Sequence, residues 1–111
     1  MSSLLDRWLG PRPQPVPLTL YTRRACHLCE LLKAELGRAH VARAFSLEEI
    51  DIDSDPRLVE RFGHSIPVLA IAGRVAFKLQ MRASDFERKF ERRAAEWDRE
   101  RAASGAARES R

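Results

Sequence analysis

The sequence predicts an α/β fold in the order β-α-β-α-β-β-α, a four-stranded mixed sheet flanked by helices. Three observations predict it. Strand-like apolar segments recur at residues 16–22, 46–52 and 66–71, with helical patterns between them. Ala72-Gly73 then joins the last of these to another alternating segment, as a hairpin turn does. Finally, Cys26 and Cys29, the two cysteines of the chain, fall where the first strand pattern gives way to a helical one, an arrangement suited to a dithiol–disulfide pair.

At 111 residues the chain has enough material for one core and too little for two. Charged residues make up 32% and hydrophobic ones 44%, a globular rather than a disordered composition. No stretch approaches the roughly 20 apolar residues that span a bilayer. Residues 1–10 include Asp6 and Arg7 and hold no continuous apolar run, so they do not read as a signal peptide. The expected location is cytoplasmic, where a disulfide is transient and catalytic rather than structural. The net charge of +4 and pI near 9.7 invite a nucleic-acid reading. The basic residues are instead interleaved with acids along the chain, and only Arg23-Arg24 forms a local block near the cysteines. Neither a nucleic acid nor a membrane is therefore an expected partner, and the chain is expected to be a monomer.

Residues 1–16 form a proline-rich N-terminal extension. Leu4, Leu5, Trp8 and Leu9 have helical spacing, but Pro11, Pro13, Pro15 and Pro17 cut the pattern off and make residues 10–15 a stiff, extended connector. The domain proper spans residues 17–101. Leu18 and Leu20 alternate with Thr19 and Tyr21 as a first strand. From residue 26 to about 40 a helix places Leu28, Leu31, Leu32 and Leu36 on one face, with Gly37 near its end. The second strand falls at roughly 46–52, although its apolar phase slips at Glu48-Glu49. Asp55 as N-cap and Pro56 at the first helical position then open a short helix. Its Leu58, Val59 and Phe62 face inward, and Gly63 stops it.

The run at 66–71 is apolar almost throughout, as a central strand covered on both faces would be. Val75, Phe77 and Leu79 alternate with Arg74 and Lys78 as an antiparallel partner at or near the sheet edge. Ser84-Asp85-Phe86-Glu87 matches a capping box, and Phe86, Phe90, Ala94 and Trp97 form the inner stripe of a last helix. Beyond Arg101 the apolar pattern ends, so residues 102–111 read as a flexible C-terminal tail.

A cysteine in the first turn of a helix meets unpaired backbone N–H groups and the positive end of the macrodipole, both of which favour thiolate over thiol. Cys29 lies three residues on and returns to the same side. The pair can therefore cycle between dithiol and disulfide, one sulfur attacking and the other resolving.

The chain resembles the thioredoxin-fold glutaredoxins, and within them the small bacterial glutaredoxin-like proteins with a C-H-L-C pair. The residues that carry this are Leu18-Thr19-Leu20-Tyr21-Thr22-Arg23, Cys26-His27-Leu28-Cys29-Glu30, Asp51-Ile52-Asp53 with Asp55-Pro56, and Ile66-Pro67-Val68-Leu69 followed by Gly73. Their order and spacing over about residues 17–90 make the match. The resemblance implies that Cys26 is the nucleophile that forms a mixed disulfide and that Cys29 resolves it. It implies that Arg23, where glutaredoxins often carry a lysine, lowers the Cys26 pKa and receives a glutathione carboxylate. Pro67 matches the family's cis-proline, and the backbone of Ile66 before it would pair with a substrate strand.

This chain departs from the family in two places. His27-Leu28 replaces the common Pro-Tyr; His27 either stabilises the thiolate when protonated or is an exposed helix-start residue. Leu79-Gln80-Met81-Arg82-Ala83 lacks the Gly-Gly pair that helps hold glutathione, although Ser84-Asp85 could still present a hydroxyl, N–H groups and a carboxylate. His64 reads as a plain loop histidine in preference to a residue of the active-site rim, and His40 as a cation at a helix end rather than a ligand. The function expected is that of a dithiol thiol-disulfide oxidoreductase without a bound organic cofactor. Protein disulfides or glutathione mixed disulfides would be substrates, with glutathione a possible co-substrate and a thiol as electron donor. Two alternatives stand beside it. One is a metal or iron–sulfur module, for which one CxxC is half a site, and no metal ligand set is assigned. The other is a non-catalytic adaptor on the same fold.

Overall fold

The computed structural model describes residues 14–109; the expectation for residues 4–9 lies outside them. The elements are β1 (Val16–Thr22), α1 (His27–Arg38), β2 (Phe45–Asp51), a 3-10 turn (Ile52–Ser54), α2 (Pro56–Phe62), β3 (Val68–Ile71), β4 (Arg74–Lys78) and α3 (Ala83–Glu109). They make one four-stranded sheet in the order β2-β1-β3-β4. β1 and β2 are parallel, β3 is antiparallel to β1, and β4 is antiparallel to β3.

Of the two helical connections between strands, only the first is a parallel crossover. β2 has seven residues and rises about 23 Å, whereas the seven residues of α2 rise only about 10 Å. α2 cannot carry the chain back to the start of β2, so β3 enters from the end where β2 finished and runs the other way. This short helix brings the start of β3 to the same sheet end as the start of α1.

The alternation along β1 sorts the core into two layers. Val16, Leu18 and Leu20 point to one face, where Leu69 and Ile71 of β3 join Leu32 and Leu36 of α1 and Phe86, Phe90 and Ala94 of α3. Phe45, Phe86 and Phe90 meet there with ring centroids 5.3–6.0 Å apart. Each fully buried phenylalanine contributes about 1.5–3 kcal/mol by leaving water. On the opposite face Val68 packs with Ile52, Phe62, Leu58 and Val59, and Tyr21 lies 4.5 Å from Phe62. Covered on both sides, all four residues of β3 are buried, as its continuous apolar run requires.

Several local expectations are revised. The inward face of α1 is Cys29, Leu32 and Leu36, and Leu28 and Leu31 are exposed. α1 ends at Arg38, so the cation in its last turn is Arg38 and His40 lies in the following loop. The hairpin has Ala72 at φ 49° and Gly73 at φ 81°, the paired left-handed residues of a two-residue turn that matches strand twist. A bulge after Leu69 pairs Ala70 with Val75, which breaks the β4 alternation and leaves Val75 exposed.

Gly63 follows α2 in a right-handed conformation, so it is not a left-handed cap. A Cβ there would lie 2.5 Å from the Val59 carbonyl oxygen, and this close approach is what requires glycine. α3 opens at Ala83 without the Ser84–Glu87 capping box. Glu35 of α1 accepts the Ala83 N–H, while Glu87 accepts the N–H of His40. The helix runs on to Glu109 rather than ending near Arg101, because the alanine-rich final segment favours helix without needing a buried stripe.

Candidate redox site

β1 delivers the chain to Thr22, and two features convert its direction into that of α1. Ala25 adopts φ 54°, a left-handed bend that costs a residue with a Cβ about 1–2 kcal/mol. Cys26 then takes an extended conformation as the N-cap of α1. Its carbonyl oxygen accepts the Glu30 N–H at 3.2 Å, and its Sγ accepts the Cys29 N–H, also at 3.2 Å. The sulfur thus occupies the position in which serine or aspartate oxygens cap helices.

The two sulfurs are joined as a disulfide, with the Cα atoms 5.2 Å apart. Their surroundings differ. Cys29 is 1% exposed and forms part of the inner face of α1, whereas Cys26 is only half-buried. An incoming group therefore reaches Cys26 before Cys29.

The peptide bond between Ile66 and Pro67 is cis, as expected. Register explains why it belongs to this site: Tyr21 pairs with Val68, so Pro67 stands just beyond the pair, level with the end of β1 that leads to the cysteines. Pro67 is buried and Ile66 half-buried, and the Pro67 carbonyl accepts the Leu79 N–H at 2.8 Å. Leu79 holds φ 69° just after β4, so a leucine takes the glycine-like backbone at the place where the sequence lacks Gly-Gly.

Arg23 reaches the same sheet end. Its guanidinium is held by Asp53, with Nε to Oδ2 at 3.0 Å and Nη2 to Oδ1 at 2.9 Å. This pairing raises the Arg23 pKa further and spends the fork geometry that a substrate carboxylate would otherwise use. His27 is exposed at the first position of α1, and His64 is exposed in the loop after α2. Among the described residues, no three histidine, cysteine, aspartate or glutamate side chains gather as a metal would need.

Sequence reasoning missed the apolar surface beside the cysteines. Leu28, Leu31, Leu79 and Met81 line a groove of about 400 Å³ along α1. Treating Cys29 as a core position would have found it, since 29, 32 and 36 then define the inner stripe and leave Leu28 and Leu31 outside. Larger hollows of about 560 and 510 Å³ border residues 39–45, at the far end of α1. Arg93 was also missed: it is 8% exposed and donates to the carbonyls of Ile71 and Ala72 while paired with Glu100. It ties α3 to the β3–β4 hairpin and is structural.

Residues 17–92 match the family described as "Glutaredoxin-like domain (DUF836)". Among solved structures, the chain is similar to the X-ray structure of Northeast Structural Genomics target protein XcR50 from X. campestris. They share 32% identity with a TM-score of 0.57, over 67% of this chain and 95% of that one. No curated protein is significantly similar to the chain. With a CxxC pair at a helix N-terminus and a cis-proline at the same end of a thioredoxin-like sheet, the chain belongs to the glutaredoxin-like domain family.

Proposed function

We propose that this protein is a dithiol thiol-disulfide oxidoreductase that reduces protein disulfides or glutathione mixed disulfides, with Cys26 attacking and Cys29 resolving. One observation carries the reading: Cys26 is at once the less buried cysteine and the N-cap of α1, its Sγ receiving a backbone N–H. A thiolate there gains a charge-assisted hydrogen bond and the positive end of the helix, so the attacking form is favoured at Cys26.

The reaction balances over two exchanges. Cys26 thiolate attacks one sulfur of the substrate disulfide. That S–S bond breaks, and the other substrate sulfur leaves as a thiolate that takes a proton from water. Cys29 then gives its proton to solvent and attacks Cys26 Sγ, which forms the Cys26–Cys29 disulfide and releases the second substrate sulfur as a thiol. Two electrons and two protons reach the substrate, and an external thiol, either glutathione or a protein dithiol, returns them. The Ile66 backbone beside Pro67 is the edge on which a substrate strand would align.

Working as a monomer against a cytosolic thiol pool, the pair would have a potential in the region of about −270 to −200 mV. No helix among the described residues is long and apolar enough to cross a membrane. The test is to trap the intermediate. Cys29→Ser is expected to accumulate a mixed disulfide at Cys26, and Cys26→Ser to form none. Folded, metal-free Cys29→Ser that forms no mixed disulfide with protein or glutathione substrates would remove the reading.

A further inference from the structure

Leu28, Leu31 and Leu79 are 38%, 49% and 44% exposed and stand together on one groove. Three leucines turned to water together form a small apolar patch, unlike the single scattered apolar residues that ordinary surfaces carry. Neither cysteine lines the groove, but two links tie it to the redox site. Leu28 lies between the two cysteines in the chain, and the Leu79 N–H donates to the carbonyl of the cis-proline. Leu79 presents its side chain from a left-handed backbone that leucine rarely adopts, the kind of local strain that concentrates at functional surfaces.

Charge decides what the groove accepts. Its charged lining residues, Glu35 and Arg38, pair with each other, and Glu35 also accepts the Ala83 N–H. Arg23, the cation three residues before Cys26, is already bound by Asp53. A glutathione carboxylate inside the groove would lose water without meeting an unengaged cation in its lining, since Arg24 and Arg82 stand outside that lining. An apolar side chain would leave no charge unpaired.

Resting on the reductase reading above, we propose that this groove receives an apolar side chain next to the reacting cysteine of a protein substrate. The substrate class is thereby narrowed to protein disulfides flanked by an apolar residue, in preference to glutathione mixed disulfides. The electron bookkeeping is that of the two exchanges already given.

The experiment compares kcat/KM for two disulfide-bonded peptides that differ only in having leucine or serine beside the reacting cysteine, with dithiothreitol as reductant. Glutathione-capped peptide is a third substrate. Wild type is expected to favour the leucine peptide by about tenfold or more, the discrimination that one apolar side chain in a pocket provides. Leu31→Ser should reduce that ratio severalfold. Leu79→Asn should do the same while raising thermal stability, because asparagine tolerates the left-handed backbone; a merely structural leucine would not separate these effects. Leu47→Ser, an exposed leucine on the other edge of the sheet, should keep the wild-type ratio. Equal kcat/KM for the two peptides in wild type, or an undiminished ratio in Leu31→Ser, would overturn the groove while leaving the reductase standing. A glutathione-capped peptide turned over faster than the leucine peptide would likewise overturn it. Failure of all three substrates, together with no mixed disulfide in Cys29→Ser, would remove the reductase reading and the groove with it.

Discussion

Replacing Ala25 with glycine should stabilise the protein, against the usual direction of an alanine-to-glycine change. Ala25 is exposed, precedes the N-cap cysteine and holds φ 54°. An alanine Cβ in that region costs about 1–2 kcal/mol. Glycine removes this but is freer in the unfolded chain, which takes back about 0.5–1 kcal/mol. The net gain lies between about 0 and 1.5 kcal/mol, centred near about 0.75, and at about 4–8 °C per kcal/mol for a domain of this size the central value shifts Tm up by roughly 3–6 °C. The control is Ala39→Gly: Ala39 caps the other end of α1 at φ −68°, where alanine is unstrained. There glycine should destabilise by about 0.5–1 kcal/mol. Thermal and denaturant unfolding of both variants, each oxidised and reduced, measures the difference. If Ala25→Gly loses as much stability as Ala39→Gly, the bend before Cys26 is not left-handed and the geometry described for the site is wrong.

Gly63→Ala should destabilise by several kcal/mol or misfold, since the new Cβ would lie 2.5 Å from a backbone oxygen of α2; a wild-type Tm would refute the close approach. Asp53→Asn would release Arg23 from its carboxylate, so kcat/KM for a glutathione mixed disulfide should rise while Tm stays close to that of wild type, since an exposed ion pair adds little stability. An unchanged kcat/KM would mean that Arg23 does not receive substrate carboxylates. Hydrogen bonds lower the pKa of four carboxyls: the Ala83 N–H and Arg38 act on Glu35, Arg57 on Asp55, Arg43 on Asp98, and Arg93 on Glu100. A depressed folded pKa contributes stability that is present above the unfolded value of about 4 and lost as pH falls through the folded values. Tm should therefore fall below about pH 4, less steeply in Glu35→Gln, and a flat profile from pH 5 to 3 would contradict these pairings.

Local chemistry was legible in the chain alone. The strand at Val16–Thr22, the Asp55-Pro56 helix start, the Ala72-Gly73 turn and the cysteines at a strand-to-helix junction each depend on a few neighbouring residues, whose stereochemistry is the same in any fold, whereas the cis bond before Pro67 was expected from the family resemblance alone. The phenylalanine stripe of α3 was legible for a similar reason, since Phe86, Phe90 and Ala94 repeat at helical spacing and all meet the sheet.

What only the tertiary structure decided depends on partners remote in sequence. The antiparallel entry of β3 follows from the length of α2 against that of β2. Glu35 displaced the capping box at α3 because α1 packs beside it, and Asp53, thirty residues away, engaged the arginine that looked available for glutathione. Leu28 and Leu31 have the hydrophobicity of core residues, and hydrophobicity does not say which stripe of a helix will find a neighbour. The buried stripe runs through Cys29, so those leucines were left on the surface of α1, Leu28 between the two cysteines in the chain.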